Sequence, residues 1–327
     1  MPENSIEKKQ KLTESDLDLS VIMKSQQKAE TKNFNLKNPL ITASGTCGNG
    51  KELADFYDIN KLGAFTTKGI TVEAQAGNKT PRIAETPAGI INSIGLENPG
   101  VESFILEVLP ETREYTLPIL ANISGYSEQD FITLAEKLEG RAELAGIELN
   151  LSCPNIKGGG MVFGTDPEKV FEITKKVRKV YSGYIIVKLT PNITDITETA
   201  LAAEEAGADA VAMINTLSAM KIDIERQQPL LANTFGGLSG PAVRPVAVKM
   251  VYQTYKKLGI PILGLGGVRS GSDVIEFILA GATAVGIGTV NMIDPKAGLR
   301  IIGEIKEYML RHQIKNLSSI IGAAHKA

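Results

Sequence analysis

One regularity restricts this chain more than any other. From Asn38 onward, short apolar or β-branched runs alternate with segments of helical period. In order the runs are "PLITASG" (39–45), "AFTTKGI" (64–70), "PILANISG" (118–125), "GIELNLS" (146–152), "YIIVKLT" (184–190), "ADAVAMINT" (208–216), "IPILGLGG" (260–267) and "AVGIGTVNM" (284–292). Asn98-Pro99, Asp166-Pro167 and Gly240-Pro241 read as helix starts, because a first-turn proline lacks an N–H that would be unpaired anyway. Helices are predicted in every interval. Eight such β–α units predict an α/β fold of the (β/α)8 TIM barrel type in a single domain; alternation alone also allows a doubly wound sheet. The intervals after the second and sixth runs are longer than a helix needs, so inserted segments are predicted at 71–97 and 217–240, on the face where strands end. The barrel is assigned to residues 33–315. Residues 1–32, polar apart from an apolar patch at Leu17–Met23, read as a peripheral or partly disordered extension, and 316–327 as a tail.

Composition removes several function classes. Of 327 residues 43% are hydrophobic and 22% charged, and no stretch nears the roughly 18–20 consecutive apolar residues of a membrane span. A net charge of −2 lacks the basic footprint that phosphate backbones require, so neither membrane nor nucleic acid is an expected partner. No charged, apolar and small-residue succession opens the sequence, so no secretory leader is expected, and two cysteines cannot build a disulfide framework. Those features point to the cytoplasm. The only histidines, His312 and His325, lie beyond the last run. The commonest general base is thereby missing, histidine-based metal sites and Ser-His-Asp arrangements are disfavoured, and no metal is expected.

A barrel collects strand C-termini on one face, and catalytic side chains come from several of them. Here those ends carry Ser44, Lys68, Asn122, Asn150 with Ser152 and Cys153, Lys188, Asn215 with Thr216, Gly266-Gly267 and Gly288-Thr289. No comparable polar set occupies the strand beginnings. Buried lysines and amides need partners, so their convergence indicates a bound cofactor. "GLGGVRSGSD" and "GIGTVNM" bring bare backbone to the seventh and eighth tips, where barrels commonly bind phosphate; tight turns alone would explain one glycine pair, but two consecutive tips favour a phosphate site. Lys188 lies inside an apolar strand and needs an anionic partner. A flavin ring meets that need, and an ion pair with a barrel carboxylate is the alternative; Lys68 allows the same two readings.

Asn92, Asn150, Asn155 and Asn215 offer donors and acceptors suited to a planar, imide-like ring, although turn chemistry also explains Asn92. Cys153 follows a strand tip, is stiffened by Pro154 and precedes Gly158-Gly159-Gly160, a loop able to open and close. With histidine absent it is the leading acid/base candidate, whereas a small buried hydrophobe is the ordinary fate of a cysteine. Cys47 lacks the flanking amides and reads as structural or cofactor-adjacent.

"ASGTCG", "AETPAGIINSIGLENPG", "LNLSCPN", "GTDP", "VKLTPN", "MINTLSAMKID", "GGLSGPAVRP" and "GLGGVRSGSDVIEFILAGATAVGIGT" together resemble dihydroorotate dehydrogenase of class 1, and most closely the class 1B catalytic subunit. The resemblance runs from about Asn33 to His312. It implies FMN-dependent oxidation of (S)-dihydroorotate to orotate in pyrimidine biosynthesis, with Cys153 removing the C5 proton while C6 gives hydride to FMN. Lys68, Asn92, Ser93, Ile94, Gly95, Leu96, Asn150, Asn155, Asn215 and Thr216 would contact the substrate. Ala43, Ser44, Lys68, Asn122, Asn150, Lys188, Ile214, Gly240, Gly266, Gly267, Gly288 and Thr289 would contact FMN. Class 2 enzymes use serine as base, so Cys153 argues for class 1. The resemblance further implies a homodimer core joined by a subunit carrying FAD and a [2Fe–2S] cluster, a heterotetramer that delivers electrons to NAD+. Such a cluster needs four cysteine ligands, more than this chain has, so FAD and cluster would sit on the partner. The related alternatives are a class 1A-like enzyme reducing fumarate and a tRNA-dihydrouridine synthase-like barrel. A flavin-binding scaffold without catalysis is the third.

Overall fold

A computed structural model describes residues 11–26, 33–152 and 163–326. All eight predicted runs are strands: β1 (Leu40–Thr42), β2 (Phe65–Thr66), β3 (Ile119–Ile123), β4 (Gly146–Asn150), β5 (Tyr184–Lys188), β6 (Ala210–Met213), β7 (Ile262–Leu265) and β8 (Ala284–Ile287). Each pairs in parallel with its sequence neighbour from β2 to β8, and β8 pairs with β1. Between β1 and β2 the ring closes by a parallel bridge of Ile41 with Ala64 and a hydrogen bond of 2.9 Å from Thr66 N to Thr42 Oγ1. The predicted (β/α)8 barrel is therefore the fold, and the doubly wound alternative is excluded. Nearly every strand residue is buried, as expected where helices cover one face and barrel core the other.

Helices α1 (Glu128–Leu138), α2 (Pro167–Val180), α3 (Ile196–Glu205), α4 (Arg244–Tyr255), α5 (Gly271–Ala280) and α6 (Ala297–Arg311) form the outer layer. Their starts are locally encoded. Ser127 and Ser270 each make a capping box with an aspartate three residues on, while Asp166 and Asp195 accept from the backbone two residues ahead. The first interval differs from expectation: it holds one helical turn, Lys51–Ala54, and a 3-10 turn, Ile59–Lys61. Glycines at 45, 48, 50 and 63 break any longer helical period there.

The two predicted insertions meet. The hairpin Ile83–Thr86 and Gly89–Asn92 joins Leu217–Ala219 and Gly236–Ser239 in one antiparallel four-stranded sheet, with Ile90 opposite Ser239 and Asn92 opposite Gly237. Its small core is Ala84, Ile91 and Leu231. The backbones touch so closely that a Cβ on Gly89 would lie 2.0 Å from the Ser239 carbonyl oxygen.

At the opposite end, Val21–Met23 pairs with Phe34–Leu36. Val21, Met23, Phe34 and Leu36 are buried, and Phe34 stacks on Tyr184, the first residue of β5, at 5.4 Å between centroids. The apolar patch expected at the periphery thus belongs to the barrel floor, because alternate side chains of a short strand point inward. Asp209, just before β6, binds Arg178 Nη1 at 2.9 Å, Ile185 N at 2.8 Å and Ser25 Oγ at 2.5 Å, tying this segment to two strands and α2. The C-terminal segment also packs. Asp18 bridges Asn316, Leu317 is buried, and the His325 ring stacks on Tyr252 at 3.9 Å.

Candidate active site

The strand ends deliver their polar residues to one place. Ser44 and Lys68 follow β1 and β2, Asn122 lies within β3, Asn150 and Lys188 end β4 and β5, Asn215-Thr216 follow β6, and Gly266-Gly267 and Gly288-Thr289 follow β7 and β8. All of them line one cavity of about 700 Å³ beneath the four-stranded roof. Ala43, Ile214, Gly240 and the roof loop Asn92, Ser93, Ile94, Gly95 and Leu96 line it too. Cys153 and Asn155 lie outside the described residues; Ser152, immediately before Cys153, lines the cavity.

At the cavity floor is a buried polar network. Asn122 and Glu148 are register partners on β3 and β4, and the Asn122 amide donates to Glu148 Oε1 at 2.5 Å. The same oxygen pairs with Lys188 Nζ at 3.3 Å, while Lys188 also donates to Ser44 Oγ at 2.9 Å. Lys188 therefore has the carboxylate partner of the ion-pair reading, and it also lines the cavity. Asn122 Oδ1 is buried without a hydrogen bond among the described residues, an acceptor left for a bound molecule. Lys68 is half-buried, and among the described residues no ion pair engages its ammonium.

A second group of amides sits above β4 to β6. Asn215 Nδ2 donates to Asn150 Oδ1 at 3.1 Å, and Asn192 Nδ2 donates to Thr190 Oγ1 and the Thr216 carbonyl at 3.0 and 3.1 Å. From the roof, Asn92 Nδ2 donates to the Gly237 carbonyl at 3.3 Å. Asn78 Nδ2 steadies the neighbouring loop through the Ser93 carbonyl and hydroxyl, each at 3.0 Å.

The glycine-rich end is built by three converging loops. Gly267 has φ of +74°, and a Cβ there would lie 2.6 Å from the Gly240 carbonyl oxygen. Gly288 precedes the short helix Thr289–Ile293 without a side-chain cap, and Thr289 Oγ1 hydrogen-bonds Ser239 Oγ at 2.8 Å. Cys47 is not among the lining residues; burial pushes its thiol up to about 11, partly offset by hydrogen bonds with Thr42 and Thr46. It is protonated at neutral pH and cannot act as a base there.

The sequence reading left out Glu148, Thr190, Asn192 and Ser239. Glu148 carried a signal: it is an acid within an apolar strand, two residues before Asn150 and so on the same face. Asn192 lies on a loop and Ser239 ends a roof strand within an inserted segment, and in both places a polar residue was unremarkable.

The family profile described as dihydroorotate dehydrogenase matches residues 27–309. The chain belongs to the dihydroorotate dehydrogenase family. Catalytic subunits named dihydroorotate dehydrogenase B (NAD(+)) are similar to it over most of its length. That of Caldicellulosiruptor bescii is 54% identical over 294 residues, covering 90% of this chain and 97% of the relative. That of Geobacter sp. (strain M21) is 49% identical over 288 residues, covering 88% and 94%. That of Desulforudis audaxviator is 46% identical over 304 residues, covering 93% and 99%. The motif resemblance is borne out, and the chain is an oxidoreductase of the dihydroorotate dehydrogenase family. Among the described residues no helix is long and apolar enough to cross a membrane.

Proposed function

We propose that this chain catalyses the oxidation of (S)-dihydroorotate to orotate in pyrimidine biosynthesis, with FMN resident in the cavity and electrons exported to NAD+ through a partner subunit. The observation that carries the reading is the convergence of every described candidate residue on one cavity at the strand C-termini, in a chain of this family. The residues present fit the flavin: Asn122 Oδ1 is an orphaned buried acceptor, Lys188 supplies an ammonium donor at the cavity wall, and Gly240, Gly267 and Gly288 put bare backbone on that wall, where it can cradle a phosphate. The chemistry supplied by bound FMN is hydride uptake by its ring.

This chain's residues do the rest. Asn150 and Asn215, joined by their own hydrogen bond, present one fixed amide edge to the substrate ring, with Thr216 beside it. Asn92 and the Ser93–Leu96 loop close the substrate's other side, and Lys68 holds its carboxylate. Cys153, with Asn155 near it in sequence, takes the C5 proton as a thiolate. The roof excludes water from the reacting carbon.

The relatives' names specify NAD(+) and a catalytic subunit, which supports a partner subunit; the proposed assembly is a homodimer core bound to a subunit holding FAD and [2Fe–2S], in the cytoplasm. The decisive experiment is anaerobic stopped-flow on the purified, FMN-loaded chain. Dihydroorotate should bleach the flavin within the dead time to seconds, and an unbleached spectrum would overturn the enzymatic reading. Rapid fumarate reduction by the chain alone would overturn the assigned acceptor, and a monomeric mass in solution the assigned core.

A further inference from the structure

Glu148 has no place in the chemistry outlined above, yet it is buried at 1% exposure directly behind two residues that line the cavity, Asn122 and Lys188. Strand register puts it there: Asn122 lies opposite it, and Lys188 lies opposite Asn150, two residues along the same face. One carboxylate oxygen holds both the Asn122 amide at 2.5 Å and the Lys188 ammonium at 3.3 Å. An acid in an apolar strand is costly unless it is paired, and the pair formed here is electrically neutral as a unit. A lysine alone would present a full positive charge to whatever occupies the cavity.

We infer that Glu148 is a positioning residue that fixes Lys188 and cancels its charge, keeping the flavin's reduction potential low. The inference rests on FMN occupying this cavity. Reduction of a flavin adds negative charge, so an unbalanced cation nearby favours the reduced form, and a neutral pair does not. Nicotinamide is a weak oxidant, and a catalytic subunit that must pass electrons onward to it gains from a flavin that does not retain them. Ser44 and Asn122 complete the arrangement, each holding one member of the pair toward the cavity.

The test is a redox titration of FMN bound to the purified chain, against a reference dye. Glu148→Gln preserves shape and both hydrogen-bond contacts while removing the charge. It should raise the ratio of reduced to oxidised flavin about tenfold at a fixed solution potential, equivalent to about 30 mV for a two-electron couple. Lys188→Gln should shift the ratio about tenfold the other way, and the double variant should return within about threefold of the parent, because removing both members of the pair leaves the net charge beside the flavin unchanged. A purely structural role would lower stability without opposite shifts in potential. Should Glu148→Gln not retain flavin, Glu148→Asp, which keeps the charge, should hold the ratio within about threefold; a tenfold shift there would overturn the inference. Flavin bound to Glu148→Gln at an unchanged potential would overturn it and leave the proposed function standing. A parent chain that binds no FMN would instead overturn the proposed function, and this inference with it.

Discussion

The two ends of the barrel use the same eight strands in opposite ways. At the strand beginnings, Val21, Met23, Phe34 and Leu36 seal the floor with apolar side chains, and a buried charge, Asp209, is fully engaged by Arg178, Ser25 and backbone N–H groups. At the strand ends the polar residues are only partly satisfied. Asn122 Oδ1 has no partner among the described residues, Lys68 is in no ion pair among them, and backbone takes the place of side chains at Gly240, Gly267 and Gly288. Completed polar contacts lend rigidity, whereas incomplete ones are available for a ligand. The comparison predicts that variants at the floor change stability and leave the chemistry intact, and that variants at the mouth do the reverse.

The largest effect belongs to the mouth. Cys153→Ser should retain FMN but slow flavin reduction by dihydroorotate about 10² to 10⁴-fold, the range of a lost general base, with partial recovery at high pH. Stopped-flow absorbance checks it, and an unchanged rate at neutral pH would break the assignment. At the floor, Asp209→Ala leaves Arg178 unpaired in a half-buried setting, and denaturant titration should show a loss of about 3–5 kcal/mol with the flavin potential unmoved. Phe34→Ala should lose about 3 kcal/mol by the same measurement, through the emptied contact with Tyr184. A changed flavin potential in either floor variant would erase the contrast between the ends.

The smallest effect sharpens the boundary, because Cys47 is buried near the mouth without lining it. Its thiol titrates at about 11 in the folded protein against an ordinary 9.0, so the folded state keeps a proton that the unfolded chain releases. The associated stability is complete below pH 9 and is lost progressively as pH rises to about 11, a change of about 2–3 kcal/mol. Cys47→Ala should flatten that part of the alkaline stability profile; an identical slope in the variant would show that other groups carry it.

Much of this organisation was legible because two local signals coincide. Continuous apolar runs such as Tyr184–Lys188 mark buried parallel strands, and barrel topology then puts Lys188, Asn150 and Thr289 on one face without further information. The floor was not legible, because strands as short as Val21–Met23 and Phe34–Leu36 barely show a period of two against charged neighbours. Nor was the roof, since nothing local to Ile90 states that Ser239 will pair with it. Glu148 was visible as an acid in an apolar run, but its meaning depended on knowing which strands lie beside it.

The shared roof also bears on how such enzymes can be altered. Because the strand ending at Asn92 is stitched to the strand beginning at Gly236, neither segment is an independent module. Transplanting one of them into a related barrel would leave an unmatched edge, so a graft meant to change which ring the enzyme accepts must move both segments together, with their lengths and glycines preserved.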